Sequence, residues 1–367
     1  MKRAHVRRLI LVFITASCAA QSVAAGDGRR AARIVNANYT AAGLNVSQTP
    51  DAAAYYKQGD EHFQAGRYRE AVEAFKQLVK LRSDVPLGHF YLGSAYYKLQ
   101  QYAEAVAAFR EATRLKPDYY PAHVLLGNAL DSAGRFDEAV AAYTEATRIQ
   151  PAIPGAHYEL GVAYFNQKQY AKAEAAYREV VRLKPDYKGA HDNLGETLSR
   201  MGRTVEAVAA YLEAVRLDAR DAEAYRHLGE ARGRLKQYAE AEAAFREAAR
   251  LRPDDAAAHL GLGNVYFNTR RFAEAAASYR EAARLRPTWA TAHNNLGDAY
   301  KQAAKPAEAA VAYREAVRLS PNLAEAHYKL ALIYLEQNDR PAASKIHETL
   351  KTLNPELATK LKAALDK

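Results

Sequence analysis

The chain has 367 residues, a net charge of +10 and a single cysteine, Cys18, which excludes an intramolecular disulfide. Hydrophobic residues make up 49% of the sequence, enough for a large buried core. The first 50 residues hold seven Lys or Arg and one Asp, which leaves 45 basic against 41 acidic residues beyond them. This near balance argues against a nucleic-acid partner, because a nucleic-acid-binding surface needs a basic stripe on one face.

Residues 1–25 have the pattern of a secretory signal peptide. Four basic residues (Lys2, Arg3, Arg7 and Arg8) precede the apolar run 9–16, and small residues lead to a cleavage site at 23–25. The chain is therefore expected to be exported, to the periplasm or the cell envelope, and to begin near Gly26. Two alternatives stay open: lipidation at Cys18, which would make a lipoprotein, or an uncleaved anchor or transit peptide.

Residues 26–51 are polar and alanine-rich, without a long helical stripe, which predicts a flexible linker. Beyond the signal peptide no run of about 20 apolar residues occurs. The mature chain is therefore expected to have no transmembrane segment. Its self-association cannot be read from the sequence.

From residue 52 onward the sequence repeats every 34 residues. We number the places of each repeat so that the recurring glycine is place 8, which gives nine repeats: 52–85, 86–119, 120–153, 154–187, 188–221, 222–255, 256–289, 290–323 and 324–357. Glycine holds place 8 in eight of them, and proline recurs near the end of most repeats. Proline removes a backbone N–H and ends a helix, so each repeat is expected to begin a new helix pair.

This 34-residue pattern resembles the tetratricopeptide repeat (TPR) family, whose unit is a helix-turn-helix. The resemblance implies an all-α fold, a right-handed α-α superhelical solenoid of helix-turn-helix repeats. Residues 358–367 are expected to be the end of a helix that caps the last repeat. In the second helix of the seventh repeat, Phe272, Ala275, Ala276 and Tyr279 follow helical spacing, which agrees with this fold.

A glycine inside a helix costs about 1 kcal/mol relative to alanine, so eight glycines in one register need a reason. We expect close approach of the two helices of each repeat. The alanines at place 20, such as Ala105 and Ala139, are predicted to form the other side of that contact.

Histidine occupies place 4 in seven repeats: His89, His123, His157, His191, His259, His293 and His327. A metal site needs ligands that converge on one point, whereas these rings are spread one per repeat. They are predicted to pack between repeats, and no metal or cofactor is expected. No Walker sequence, HExxH motif or nucleophile elbow occurs, so the chain is not expected to be an enzyme.

The family resemblance implies that the first helices build a concave groove, to which we assign places 2, 5, 9, 12 and 13, with place 6 beside them. The residues predicted to bind a peptide there are Tyr56, Phe63, Phe90, Tyr97, Asn128, Tyr158, Phe165, Asn166, Arg200, Arg226, Asn264, Phe267, Asn268, Asn294, Asn295 and Tyr328. Aromatic rings accept apolar side chains, and asparagine amides pair with peptide N–H and C=O groups. The other interpretation is that the rings only pack against the neighbouring repeat.

Members of the family that bind a chaperone's terminal carboxylate use five basic or asparagine residues on three successive first helices. Asn264, Asn295 and Lys329 match three of those places, but Leu260 and Glu325 replace two basic residues. The sequence therefore predicts a non-enzymatic scaffold or adaptor that holds an extended peptide of another protein, in envelope assembly or secretion. The alternative is a glycan-binding or accessory subunit of a polysaccharide-export or glycosyltransferase complex.

Overall fold

A computed structural model describes residues 50–187 and 189–366, all of whose regular structure is α-helical. The helices fall into two compact units, the first ending at Pro185 and the second beginning at Asp186. Unit 1 has the first helices α1 (Pro50–Gln64), α3 (Pro86–Lys98), α5 (Tyr120–Ser132) and α7 (Pro154–Asn166), and the second helices α2 (Tyr68–Leu81), α4 (Tyr102–Leu115), α6 (Phe136–Ile149) and α8 (Tyr170–Leu183).

Unit 2 continues the same alternation. Its first helices are α9 (Ala190–Arg200), α11 (Ala222–Arg234), α13 (Ala256–Asn268), α15 (Ala290–Gln302) and α17 (Ala324–Glu336). Its second helices are α10 (Thr204–Leu217), α12 (Tyr238–Leu251), α14 (Phe272–Leu285), α16 (Pro306–Leu319) and α18 (Arg340–Leu353), followed by α19 (Pro355–Leu365). The predicted all-α class of helix-turn-helix repeats is confirmed.

The recurring glycine makes room for an aromatic ring of the same repeat. A Cβ atom on Gly161 would lie 2.7 Å from a ring carbon of Tyr177, at place 24. The same ring position faces all eight glycines of place 8. The expected close approach is present, but the predicted partner was wrong. The atoms nearest to the added Cβ belong to the place-24 ring. The place-20 alanines, such as Ala105 and Ala139, are fully buried.

The place-4 histidines join each repeat to the turn before it. His123 Nε2 lies 2.9 Å from the backbone oxygen of Pro117, and His157 Nε2 lies 2.9 Å from that of Pro151. Four further rings make the same contact: His89, His259, His293 and His327. Because a carbonyl only accepts, the Nε2–H must donate, which fixes the tautomer. Each of these hydrogen bonds therefore connects the first helix of a repeat to the turn that precedes it.

Helix α19 closes the apolar end of unit 2. Its buried Ala358 and Leu361 belong to one cluster with Leu330, Ile333 and Leu350 of the last repeat. The cap removes from water a surface that a further repeat would otherwise cover.

The signal peptide 1–25, with Cys18, and residues 26–49 of the predicted linker lie outside the described residues. The last two linker residues, Pro50 and Asp51, belong to α1 instead. Proline is favoured at the first position of a helix and an acidic residue in its first turn, which accounts for the earlier start. Within residues 50–187 and 189–366, none of the helices has the length and apolar character needed to cross a membrane.

Candidate functional site

We define the first-helix face as the side chains at places 2, 5, 6, 9, 12 and 13 of the first helices. In unit 1 this face is rich in aromatic rings, and one edge of each ring packs against other side chains of the protein. The place-12 rings Phe63, Tyr97 and Phe165 are half-buried. Each lies 5.3–5.6 Å, centroid to centroid, from the ring that begins the second helix of its own repeat, Tyr68, Tyr102 and Tyr170 respectively.

The place-5 rings lie deeper on the same face. Phe90 is the most enclosed, with ring centroids 5.2 Å from Tyr119 and 6.0 Å from Phe109. Tyr158 lies 5.9 Å from Tyr177 in an edge-on arrangement. All three predicted rings at this place in unit 1, including Tyr56, are half-buried rather than buried. Packing therefore fixes one edge of each ring and leaves part of its surface in contact with solvent.

In the first two repeats of unit 2 several of the same places carry charge. Arg226, on α11, has only 13% of its side chain exposed and is held by three carboxylates. Its guanidinium nitrogens lie 2.5 Å from Glu230, 3.3 Å from Glu223 and 3.6 Å from Asp255. Arg226 was predicted to bind a peptide, but this network already pairs its charge.

His227 links the Arg226 network to the preceding repeat. Its Nδ1 lies 2.9 Å from Asp192 Oδ1, and Arg226 donates to its Nε2 at 2.9 Å. Removal from water lowers the pKa of His227, but the hydrogen bond and charge of Asp192 more than offset this, so the pKa lies above its ordinary value. These two contacts fit the neutral imidazole, in which Nε2 accepts from Arg226 and the Nδ1–H donates to Asp192.

The predicted asparagines have different fates. Asn128 is buried, and its Oδ1 accepts a 2.7 Å hydrogen bond from the Tyr143 hydroxyl, so it belongs to the core rather than to the accessible face. Asn264 is exposed, yet its Oδ1 accepts from the Tyr279 hydroxyl at 2.8 Å. Both make a contact that the sequence analysis missed, between a place-9 side chain and a place-24 tyrosine, which Asp298 also makes with Tyr313 at 2.7 Å.

Asn294 differs from the other asparagines. Its Oδ1 is buried, and within the described ranges no donor reaches it. Its Nδ2 has only a long contact, 3.4 Å, to Asn295 Oδ1. A buried acceptor without a donor costs about 1–3 kcal/mol.

The remaining predicted residues are placed as follows. Arg200 is exposed and lies 3.2 Å from Glu196. Asn268 is exposed and donates a hydrogen bond to the Asn264 backbone oxygen at 2.7 Å. Asn166 is exposed, and Phe267 and Tyr328 are half-buried. Of the three residues matching the terminal-carboxylate pattern, Lys329 lies 2.8 Å from Asp298. Its charge is therefore neutralised within the protein, which weakens that match further.

The sequence analysis did not single out one residue of the face, the only acid at place 6. Glu159, on α7 beside Tyr158, is half-buried. Removal from water, and then the negative charge of Asp131, raise the pKa of Glu159 to about 8. The signal available in the sequence was an acidic residue inside an aromatic segment, Tyr158-Glu159-Leu160.

These features define an all-α repeat protein whose first helices present aromatic rings in unit 1, charged residues in the first two repeats of unit 2, and asparagines and rings in the later repeats. A TPR-type family model, described as the cilia and flagella-associated protein 70 C-terminal domain, matches residues 85–295. A second model, described as the TPR repeat, matches residues 59–100 and 306–338. The chain belongs to the tetratricopeptide repeat family. No curated protein matches the sequence.

Solved structures with the same architecture include the C-terminal part of a TPR repeat-containing protein from Cytophaga hutchinsonii, with a TM-score of 0.57 and 17% identity over 66% of this chain and 99% of that one. Pseudomonas aeruginosa PilF has a TM-score of 0.51 and 20% identity over 57% of this chain and 97% of its own. The Cut9–Hcn1 complex of the APC/C has a TM-score of 0.50 and 17% identity over 86% and 76%. At these identities the likeness concerns the fold alone.

Proposed function

We propose that the protein is a non-enzymatic adaptor that binds an extended segment of another protein along its first-helix face. The TPR family generally consists of non-catalytic scaffolds that bind other proteins. The observation that supports the finer proposal is the row of half-buried rings in unit 1, Tyr97, Tyr158 and Phe165 among them. Such rings offer fixed apolar surface at a low entropy cost, which suits the side chains of an extended peptide.

The rings of unit 1 also bear on the choice between a peptide and a glycan. The side chains of an extended peptide supply apolar groups at regular intervals along the chain. A glycan would supply hydroxyl donors but no regularly spaced apolar side chains for the rings of unit 1. We therefore favour a peptide over a sugar as the ligand.

The experiment presents the full chain to a displayed library of random nonapeptides and, separately, to a glycan array. The test variant replaces Tyr97, Tyr158 and Phe165 with alanine. The control replaces Val205 and Val311, which are 71% and 58% exposed on second helices, with alanine. Circular dichroism melting confirms that both variants are folded.

The proposal expects peptides enriched by the native chain and by the control but not by the ring variant. Enrichment that survives removal of the three rings would contradict the assigned surface. Binding on the glycan array without peptide enrichment would favour the polysaccharide-linked alternative. If neither ligand class binds, the adaptor proposal is wrong.

We also propose that this binding takes place in the cell envelope, in assembly or secretion, on the basis of the basic and apolar start of the chain. Mass spectrometry of the protein purified from its host tests the export route. A mature terminus at Gly26 is expected. A diacylated terminus at Cys18 would show a lipoprotein, and an intact Met1 terminus in the soluble cytoplasmic fraction would contradict export.

A further inference from the structure

The side chain at place 6 points back to the repeat before it and, where it is polar, normally finds a partner there. Four repeats show this contact: Tyr91 lies 3.3 Å from Tyr56, His227 lies 2.9 Å from Asp192, Asn295 lies 3.4 Å from Asn264, and Lys329 lies 2.8 Å from Asp298. The partner always stands at place 5 or place 9 of the preceding first helix. Place 6 is therefore a position at which the protein pairs polar groups between repeats.

Glu159 is the exception. The repeat before it offers Val124 at place 5, which is apolar, and Asn128 at place 9, which is buried and hydrogen-bonded to the Tyr143 hydroxyl at 2.7 Å rather than to Glu159. Among the described residues, none donates a hydrogen bond to the Glu159 carboxylate or forms an ion pair with it. A half-buried carboxylate without a donor is unfavourable, because it has lost part of its hydration and has no hydrogen bond or ion pair to replace it.

The surroundings of Glu159 favour a cation. On the first-helix face of α5 and α7 the charged residues are Asp131 and Glu159, both acidic, and no Lys or Arg occupies any of the face places in these two helices. The electrostatic influence of Asp131 reaches Glu159 and opposes its ionisation. Tyr158 and Phe165, on the same helix, supply rings along which the apolar stem of a long basic side chain packs well.

We propose that a lysine or arginine side chain of the bound peptide pairs with Glu159, so that repeats three and four select peptides with a basic residue. This inference rests on the proposed function and adds to it the charge of the partner. The ligand supplies the partner that the preceding repeat supplies at the other polar place-6 residues.

The test uses the same nonapeptide library, at pH 8.5, with the full chain as native protein, as Glu159→Gln and as Glu104→Gln. Glutamine keeps the shape of glutamate and removes only the charge, so both variants are expected to fold. Glu104→Gln is the matched control, because it makes the same substitution at an exposed carboxylate of unit 1 that lies on the second helix α4, outside the first-helix face.

Peptides selected by the native chain and by Glu104→Gln should contain a several-fold excess of Lys and Arg at one position, and those selected by Glu159→Gln should not. For a selected peptide, replacing that basic residue with norleucine should weaken binding to the native chain about tenfold and leave binding to Glu159→Gln nearly unchanged.

Selected peptides without a basic excess would overturn this inference and leave the adaptor function intact. So would an excess retained by Glu159→Gln, or one lost equally in Glu104→Gln, since long-range charge would then explain it. If the native chain selects no peptides, the adaptor function itself fails and this inference with it.

Discussion

The two units of the protein have the same backbone plan but different first-helix faces. In unit 1 the face carries rings such as Tyr97 and Phe165, which are only half-buried. In unit 2, α11 carries Arg226 and His227, which are tied into a network with acidic neighbours. The residues of the core recur at the same places in both units, whereas the residues at the face places differ between the units. The rings of unit 1 keep surface that a ligand can contact, whereas the charges around Arg226 in unit 2 are already paired.

The largest effect is expected from breaking the charge network of unit 2. Arg226→Ala leaves the carboxylates of Glu223, Glu230 and Asp255 without their shared cation. The expected loss in free energy of unfolding is about 3 kcal/mol, the scale for removing one member of a buried ionic network. Urea denaturation, together with amide hydrogen exchange in α11, measures it.

Arg234→Ala is the matched control for that prediction. Arg234 is exposed on the same helix and hydrogen-bonds to Ser199 at 2.5 Å. Its loss should cost no more than about 1 kcal/mol. Equal costs for the two arginines would show that the network is no more than a solvated surface.

The next prediction concerns the contact between the place-8 glycine and the place-24 ring, which both units contain. Gly161→Ala places a Cβ atom 2.7 Å from the Tyr177 ring and should destabilise unit 1 by about 1–3 kcal/mol. Gly297→Ala, which would meet the Tyr313 ring at 2.6 Å, should act in the same direction in unit 2. Thermal and urea unfolding measure both.

The control for the glycine prediction is Gly155→Ala. No atom lies within 4 Å of the added Cβ there, and the residue is in the first turn of α7. Alanine should therefore stabilise the helix by up to about 1 kcal/mol. A loss of stability at Gly155 similar to that at Gly161 would show that backbone freedom, rather than the ring contact, explains the repeated glycine.

A smaller effect, confined to unit 1, is a dependence of stability on pH through Glu159. Its pKa is about 8 in the folded chain against an ordinary value of 4.5, so between these values the folded state keeps a proton that the unfolded state has lost. Stability from this group therefore falls as pH rises from about 4.5 to 8. We expect a change of about 1–3 kcal/mol, discounted for partial exposure.

Denaturant unfolding at a series of pH values measures that slope. Glu159→Gln should flatten it, because glutamine does not titrate, and Asp60→Asn should leave it unchanged. An unaltered slope in Glu159→Gln would assign the pH dependence to another group.

The smallest effect concerns His227 of unit 2. Asp192→Asn removes the carboxylate that raises the pKa of His227, while burial and the Arg226 cation, which lower it, remain. The His227 pKa should fall, as followed by the imidazole Cε1–H resonance in NMR. In the native chain the stability from this histidine is present at low pH and is lost as pH rises through its folded pKa. Asp60→Asn should leave the His227 titration unchanged.

Much of the fold was predictable because the information is local and repeated. The 34-residue spacing of glycine and proline indicated the helix pairs, and the stripe through Phe272 and Tyr279 indicated which side is buried. The ring opposite the glycine was not predicted, because the spacing of places 8 and 24 alone does not say how far the side chains reach across the helix pair.

The candidate face was less predictable, because its chemistry depends on pairs of residues from different helices. Asn128 and Asn166 look alike in sequence, but the first is buried under a tyrosine hydroxyl and the second is exposed. Arg226 looks like a free cation until the carboxylates of its own repeat, including Asp255 at the end of that repeat, are placed around it. Whether the rings of unit 1 bind a peptide stays a prediction.

The sequence by itself determined the class of the protein: a row of helix pairs, with their boundaries set by proline and their registers by glycine and alanine. These are properties of short stretches, in which backbone geometry and helical periodicity act over a few turns. The tertiary structure decided which polar side chains are already paired. Glu159 and Lys329 hold the same place in their repeats, yet only Lys329 meets a partner, because a partner's presence depends on the helix packed beside it.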